Sequence, residues 1–185
     1  MSPLEQITEI GDNFLRDFNF LTEIDLSPLS NVYAIGNNFM LSCDSITKVD
    51  LSSLTQLNII GNNFMKRCRS LETIIFNPNP TITFAGPGFM SACNELKTID
   101  LRFLKNIEVI SDYFLYNCLN LKNVIFPDKF NKVTKINCGF MAETGLINID
   151  LSCFSNVEEI AFNFLEQCNK LESVDLSSLT KLSAV

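Results

Sequence analysis

Leu21, Ile46, Leu71, Leu96, Leu121, Leu146 and Leu171 each open a unit of 25 residues, reading roughly L-x-x-I-D-L-S-x-L-x-x-V-x-x-I-G-N-N-F-M-x-x-C-x-x. A fixed period of this length decides the architecture first, because one unit cannot bury its apolar side chains alone and must lean on copies of itself. The chain is therefore read as a solenoid. A stack of coils has no single central core, so length counts coils and 1–185 is one domain: a partial first unit over 1–20, six full units over 21–170 and a truncated last unit over 171–185. Leu4, Ile7, Ile10, Phe14, Leu15 and Phe18 match the second half of the unit, while the pattern stops at Val185 before its Phe and Cys positions. Solenoids need polar terminal faces to stay soluble, so uncapped ends predict further repeats or neighbouring chains that cover them.

Within a unit the pattern changes twice. In Leu21-Thr22-Glu23-Ile24-Asp25-Leu26, Ile24 and Leu26 share one face while Glu23 and Asp25 share the other, which is the alternation of a short strand. Successive copies are predicted to pair in parallel at roughly 4.8 Å per coil. Apolar residues then fall every third position, as at Leu29, Val32 and Ile35, a spacing suited to an extended or tightly turning connection. The reversal at Gly36-Asn37-Asn38-Phe39-Met40 carries residues that tolerate positive φ and cap helices, so a single helical turn is predicted there. That turn would point Phe39 and Cys43 inward together, and stack Phe14, Phe39, Phe64, Phe89, Phe114, Phe140 and Phe164 as an aromatic spine.

Two units depart from the rule. The third contains Asn77-Pro78-Asn79-Pro80 and Gly86-Pro87-Gly88, which remove amide donors and predict a bend. The next-to-last full unit brings Ile136 and Phe140 one place late, puts Thr144 in the Cys slot and recovers its period at Leu146, a slip that alters loops and keeps the core.

The leading L-x-x-I-x-L paired with a closing I-G-x-x-F-x-x-x-C resembles the BspA-type leucine-rich repeat family over nearly the whole chain. The resemblance implies an α/β solenoid: a curved right-handed superhelix, here of seven 25-residue coils, with a parallel β-ribbon on its concave face. It also implies proteins of bacteria and protists that often sit on the cell surface and bind partners. Most units carry Asp-Leu-Ser where the family commonly has Pro. Only Ile75-Phe76-Asn77-Pro78 and Ile125-Phe126-Pro127 keep the commoner form, so no ligand is inherited from the resemblance.

The chemistry available is narrow. The chain has no His, which removes Ser-His and Cys-His pairs and His-bearing zinc sites. A net charge of -7 opposes nucleic acid and anionic membrane surfaces, and no apolar run reaches the ~18 residues that span a bilayer. Cys43, Cys68, Cys93, Cys118 and Cys168 recur at one inward slot where Phe18 and Thr144 also stand, so they read as buried, reduced, inert thiols in preference to metal ligands. Cys138 and Cys153 sit off the repeat, at unrelated points of neighbouring coils. No catalytic constellation, cofactor or metal site is expected, since catalytic sites are singular and repeats are not.

The sharpest surface signal is the outward column Asp25, Asp50, Ile75, Asp100, Ile125, Asp150 and Asp175, beside a parallel column headed by Glu23. Three readings stand: carboxylates that accept the amide two residues on, calcium bridging between coils, and recognition of a partner by the ribbon with Ile75 and Ile125 as apolar contacts. Glu23, Asp25, Asp50, Ile75, Asp100, Ile125, Asp150 and Asp175 are accordingly the candidate partner-binding residues. The expected function is a non-enzymatic module that recognises a protein, at the cell surface if the chain is part of a longer polypeptide. The alternative is an intracellular scaffold or assembly subunit, cytoplasmic if the chain is complete.

Overall fold

Two stacks of short parallel strands build the computed structural model, which describes residues 3–78 and 82–185 and forms a β-solenoid of about six turns. The strands in chain order are β1 (Glu9–Ile10), β2 (Ala34–Ile35), β3 (Lys48–Leu51), β4 (Ile59–Ile60), β5 (Thr73–Phe76), β6 (Phe84–Ala85), β7 (Thr98–Asp100), β8 (Asn123–Ile125), β9 (Lys135–Ile136) and β10 (Glu159–Ile160). Among the described residues helical geometry is confined to short 3-10 turns, such as Ser27–Leu29, Arg102–Leu104 and Ser152–Phe154. The α component of the expected α/β label is thus reduced to these turns.

The first ladder is the ribbon predicted from residue alternation. β3 pairs with β5 and β7 with β8, each in parallel and in the register of the repeat: Asp50 lies opposite Ile75 and Asp100 opposite Ile125. Val49 and Leu51 of β3 are buried while Lys48 and Asp50 are exposed, as a period of two requires. The ribbon is not continuous. Residues 21–26, 146–151 and 171–176 occupy the same place in their coils without forming regular strands.

The second ladder lies where only a connection was expected. β1, β2, β4 and β6 form one four-stranded parallel sheet, and the line continues through an Ile110–Ile136 bridge into β9 and β10. In each two-residue strand the Ile or Ala is buried and the residue before it points outward. The column that follows these strands begins Gly11, Gly36, Gly61, Gly86, and the Gly61 amide donates to the Ile35 carbonyl of the coil before at 2.8 Å. A Cβ on Gly61 would lie 2.6 Å from the Gly36 carbonyl carbon and 2.8 Å from the Asn37 nitrogen. Glycine stands here because backbone meets backbone.

The reversal after this column corrects the expected helical turn. Asn38, Met40 and Ser42 have φ of 59°, 50° and 59°, with the residues between them outside the left-handed region, and the same alternation recurs at Asn13, Leu15 and Asp17 and at Asn63, Met65 and Arg67. A helix holds every φ negative; this backbone changes hand at each step, so its amides project alternately up and down the stack. The Asn38 and Ser42 amides donate to Asn62 and Lys66 of the next coil, both at 2.8 Å, while the Met40 amide donates to Phe14 of the preceding one at 2.8 Å. Left-handed geometry costs a non-glycine residue about 1–2 kcal/mol. Inter-coil hydrogen bonds, made in both directions along the stack, hold it in place.

This backbone still delivers Phe39, Met40 and Cys43 to the interior, all fully buried. The expected aromatic spine is present: Phe14, Phe39, Phe64, Phe89, Phe114, Phe140 and Phe164 stack in sequence at 5.6, 5.3, 5.5, 5.0, 6.3 and 5.4 Å, with planes within 17° of parallel. The widest step, Phe114 to Phe140, is the one that crosses the slipped unit, so the extra residue is absorbed with the spine intact. Asn79 and Pro80, on which part of the expected bend rests, lie outside the described residues. Phe64 and Phe89 keep ordinary spacing on either side of that unit.

A second aromatic cluster, not anticipated from the repeat, fills the space under the first ribbon. Phe76 stacks on Phe103 at 3.8 Å, and Phe130 on Phe154 at 4.9 Å with Phe126 edge-on to Phe154. Phe76, Phe126, Phe130 and Phe154 take places where other coils carry Leu, and Phe103 replaces a Pro or Ser such as Pro28 or Ser53, so coils three to six fill more of the core with aromatic volume. One hydrophobic core runs unbroken from Ile10 to Leu179.

Candidate functional site

The outward face of the first ribbon is built from the D-L-S turn. After each strand position the chain must turn sharply, and an Asp side chain can receive the amide two residues on. All five column aspartates do so: Asp25, Asp50, Asp100, Asp150 and Asp175 accept the amides of Ser27, Ser52, Arg102, Ser152 and Ser177 at 2.8–3.0 Å. The structure therefore gives these carboxylates a local job, starting the 3-10 turns at Ser27, Arg102 and Ser152.

Hydrogen bonding sets their charge state. Ser27, Ser52 and Ser177, through side chain and then amide, hold Asp25, Asp50 and Asp175 below the usual carboxylate range, and the Ser152 amide leads for Asp150. For Asp100 the Arg102 side chain is the main cause, reaching both carboxylate oxygens at 2.6–3.1 Å. A carboxyl lowered in the folded state contributes stability that is complete above its unfolded value of about 3.9 and is lost as pH falls through the folded one. Replacing Asp25, Asp50, Asp150 and Asp175 together by Asn keeps an acceptor oxygen and removes the titration. The melting temperature of that variant should fall less between neutral pH and about pH 3 than that of the parent. Equal acid losses in thermal melts would show that the column is not linked to folding.

The candidate residues are placed as follows. Glu23 and Asp25 are exposed on a coil without regular strand; Asp50, Ile75, Asp100 and Ile125 stand on β3, β5, β7 and β8; Asp150 and Asp175 are exposed on coils outside the ladder. Each hydrogen-bonded pair of strands joins an Asp to an Ile, so Asp50–Ile75 and Asp100–Ile125 avoid the like-charge juxtaposition that Asp25–Asp50 and Asp150–Asp175 would make. The eight residues form a line along one face and do not converge on a point.

Ile75 and Ile125 are 36% and 44% exposed, which leaves two aliphatic side chains on an otherwise polar ribbon. A shallow depression of about 340 Å³ adjoins Ile75, floored by Phe76 and Phe103 and rimmed by Pro78, Asp100 and Arg102. Arg102 is the residue that sequence reasoning passed over. Its signal was the replacement of Ser by Arg in one D-L-S turn, and its side chain closes the depression with a bidentate carboxylate pair.

The thiols sit apart from this face. Cys43, Cys68, Cys93, Cys118 and Cys168 are buried, and each Sγ donates to the carbonyl of a left-handed residue in a preceding coil, Leu15, Met40, Met65, Met90 and Met141, at 3.0–3.2 Å. Thr144 fills the slot in the slipped unit and donates to the Met141 carbonyl at 2.9 Å. Burial drives the Cys93 thiol well above its ordinary range and the Cys118 thiol up to about 12, which keeps both protonated and unreactive. Among the described residues all seven cysteines are free, and no cluster of three or more Cys, Asp or Glu side chains is placed to hold a metal ion. No helix among them is long and apolar enough to cross a membrane.

Comparison with known proteins places this geometry among its relatives. The family model for the BspA type leucine rich repeat region, in 6 copies, matches residues 3–103 and 88–184. No curated protein matches in sequence. A leucine rich cell surface protein from Faecalibacterium prausnitzii is similar in structure with a TM-score of 0.71 at 23% identity, over 90% of this chain and 42% of that one. A leucine-rich repeat protein from Bacteroides ovatus aligns with a TM-score of 0.56 at 18% identity, over 97% of this chain and 58% of that one. The chain thus spans about half the length of these structures.

Proposed function

The chain belongs to the BspA-type leucine-rich repeat family, and from that premise we propose that it is a protein-recognition module whose first ribbon grips a partner, as part of a cell-surface protein. The observation that carries this reading is the pair Ile75 and Ile125: both are exposed, both stand in register opposite aspartates already oriented by backbone amides, and neither contributes fully to the core. An interface needs desolvated apolar anchors surrounded by ordered polar groups, and a rigid ladder supplies both without ordering costs on this side. Asp50 and Asp100 would then accept hydrogen bonds from the partner with their free lone pairs, Glu23, Asp25, Asp150 and Asp175 would extend the contact, and the depression beside Ile75 would receive an apolar side chain.

The family is typically non-enzymatic, and a line of periodic side chains offers no convergence of nucleophile, base and oxyanion donor. That the Faecalibacterium prausnitzii relative is a cell surface protein supports the surface reading. The alternative, a scaffold inside the cell, is favoured by the seven free thiols, since reduced cysteines are commonest in reducing compartments.

The test is capture of extracellular proteins on immobilised chain, with the Ile75→Lys/Ile125→Lys double variant in parallel. Loss of two central apolar anchors should weaken binding about tenfold or more while the melting temperature stays within a few degrees of the parent. A captured protein that binds the double variant equally well would remove the ribbon from the contact.

A further inference from the structure

The second ladder carries a surface that the first does not explain. Its outward column reads Glu9, Ala34, Ile59, Phe84, Val109, Lys135, Glu159, one residue per coil, and the strand registers place Glu9, Ala34, Ile59 and Phe84 side by side. Ile59 and Phe84 are 40% and 39% exposed at the middle of the row, with Tyr33 beside Ala34 at 41%. Charge is confined to its ends: Glu9 at one, hydrogen-bonded to the Tyr33 hydroxyl, and Lys135 with Glu159 at the other, 2.7 Å apart. Four apolar side chains on successive rungs, bounded by charge, are the arrangement of an interface core inside a polar rim.

The order of the row identifies what it fits. A two-fold axis passing between Ile59 and Phe84 would set Ile59 against Phe84 of a second copy, Ala34 against Val109, and Glu9 against Lys135. In the adjoining column the same operation sets Thr8 against Thr134 and Tyr33 against Glu108, whose carboxylate is neutralised by Lys132 at 2.8 Å. Every apolar rung meets an apolar rung and Glu9 meets Lys135, with Glu159 standing beyond the paired rungs, which is the self-complementarity that an isologous contact requires. We propose that this face is the interface of a two-fold symmetric dimer, formed by two copies of the chain packed ladder against ladder with their axes antiparallel. The six paired rungs from Glu9 to Lys135 span about 24 Å at the strand spacing. Lys135 then lies between Glu159 of its own chain and Glu9 of the second copy, so it bridges two carboxylates.

Sedimentation of the chain over roughly 1–200 µM at low salt reads this directly, since interfaces of this size bind reversibly in that range. The parent should pass from monomer to dimer as concentration rises. Phe84→Lys, at an exposed position, should raise the dimer Kd by about tenfold or more, with unchanged circular dichroism. Glu9→Lys and Lys135→Glu should each weaken the dimer, and the two together should restore it to within about threefold, because the reversed pair attracts again. A parent that stays monomeric throughout, or association that survives Phe84→Lys, overturns the proposal; so does a charge-reversed double variant as weak as its single ones. All of these residues lie off the first ribbon, so the outcome is independent of partner capture.

Discussion

Phe89→Ala should lower the free energy of unfolding by about 3–5 kcal/mol, the usual cost of emptying a buried phenylalanine site. Phe89 is fully buried, stacked between Phe64 at 5.5 Å and Phe114 at 5.0 Å, with Phe76 and Phe103 tilted against it. Removing it takes away contacts with two rungs and joins the resulting void to the second aromatic cluster, so neighbouring backbone, tied to both adjacent coils by hydrogen bonds, cannot collapse inward to fill it. Phe164→Ala is the matched comparison, because Phe164 is only partly buried and stacks on a single ring, Phe140. It should cost less than half as much. Denaturant titration reads both, and a loss below about 1 kcal/mol at Phe89 would mean that the spine is not what holds the coils together.

Gly61→Ala should destabilise the chain by about 3 kcal/mol, the upper end of the range for adding a methyl to a packed interior. The added Cβ meets the Gly36 carbonyl carbon, the Gly36 oxygen and the Asn37 nitrogen at 2.6–2.8 Å. A flexible side chain could swing aside from such a contact. Main-chain atoms in a hydrogen-bonded ladder move only by separating two coils, which stretches the Gly61–Ile35 bond and the Phe39–Phe64 stack at once. The equivalent place in the last full unit already holds Ala161, whose amide makes the same bond to Ile136 at 2.9 Å. Ala161→Gly should therefore change stability by about 1 kcal/mol or less. If thermal melts rank the two substitutions the other way, close backbone approach is not the reason for glycine in this column.

The features that side-chain chemistry dictates were legible in the sequence. Alternation at residues 48–51 marked β3, identical spacing marked the phenylalanine stack, and an Asp two residues before a turn marked each carboxylate–amide bond. The late arrival of Ile136 and Phe140 correctly announced a local insertion, seen in the Ile110–Ile136 bridge and the widened ring step. What escaped were the features set by the backbone. Nothing in the side chains of Leu15, Met40 or Met65 signals positive φ; those residues are left-handed because the coils above and below offer partners to their amides only in that geometry. The second ladder was hidden for a related reason, since two-residue strands are too short to show alternation and gain their order from the stack. On the candidate face, the aspartates and isoleucines could be placed in a line from the repeat. The depression closed by Arg102 depends on which rung departs from consensus and on rings that meet across coils.

The change of hand at every step of the reversal has a consequence for how such a chain can grow. Because amides leave each rung in both directions, its upper and lower surfaces are a matched plug and socket, and the thiol at the Cys slot adds a further bond to the carbonyl of a left-handed residue in the rung before. Whole 25-residue modules can therefore be duplicated or deleted during evolution without inventing any new joint, whereas a lone inserted residue survives only where, as before Phe140, another is lost before the next rung begins.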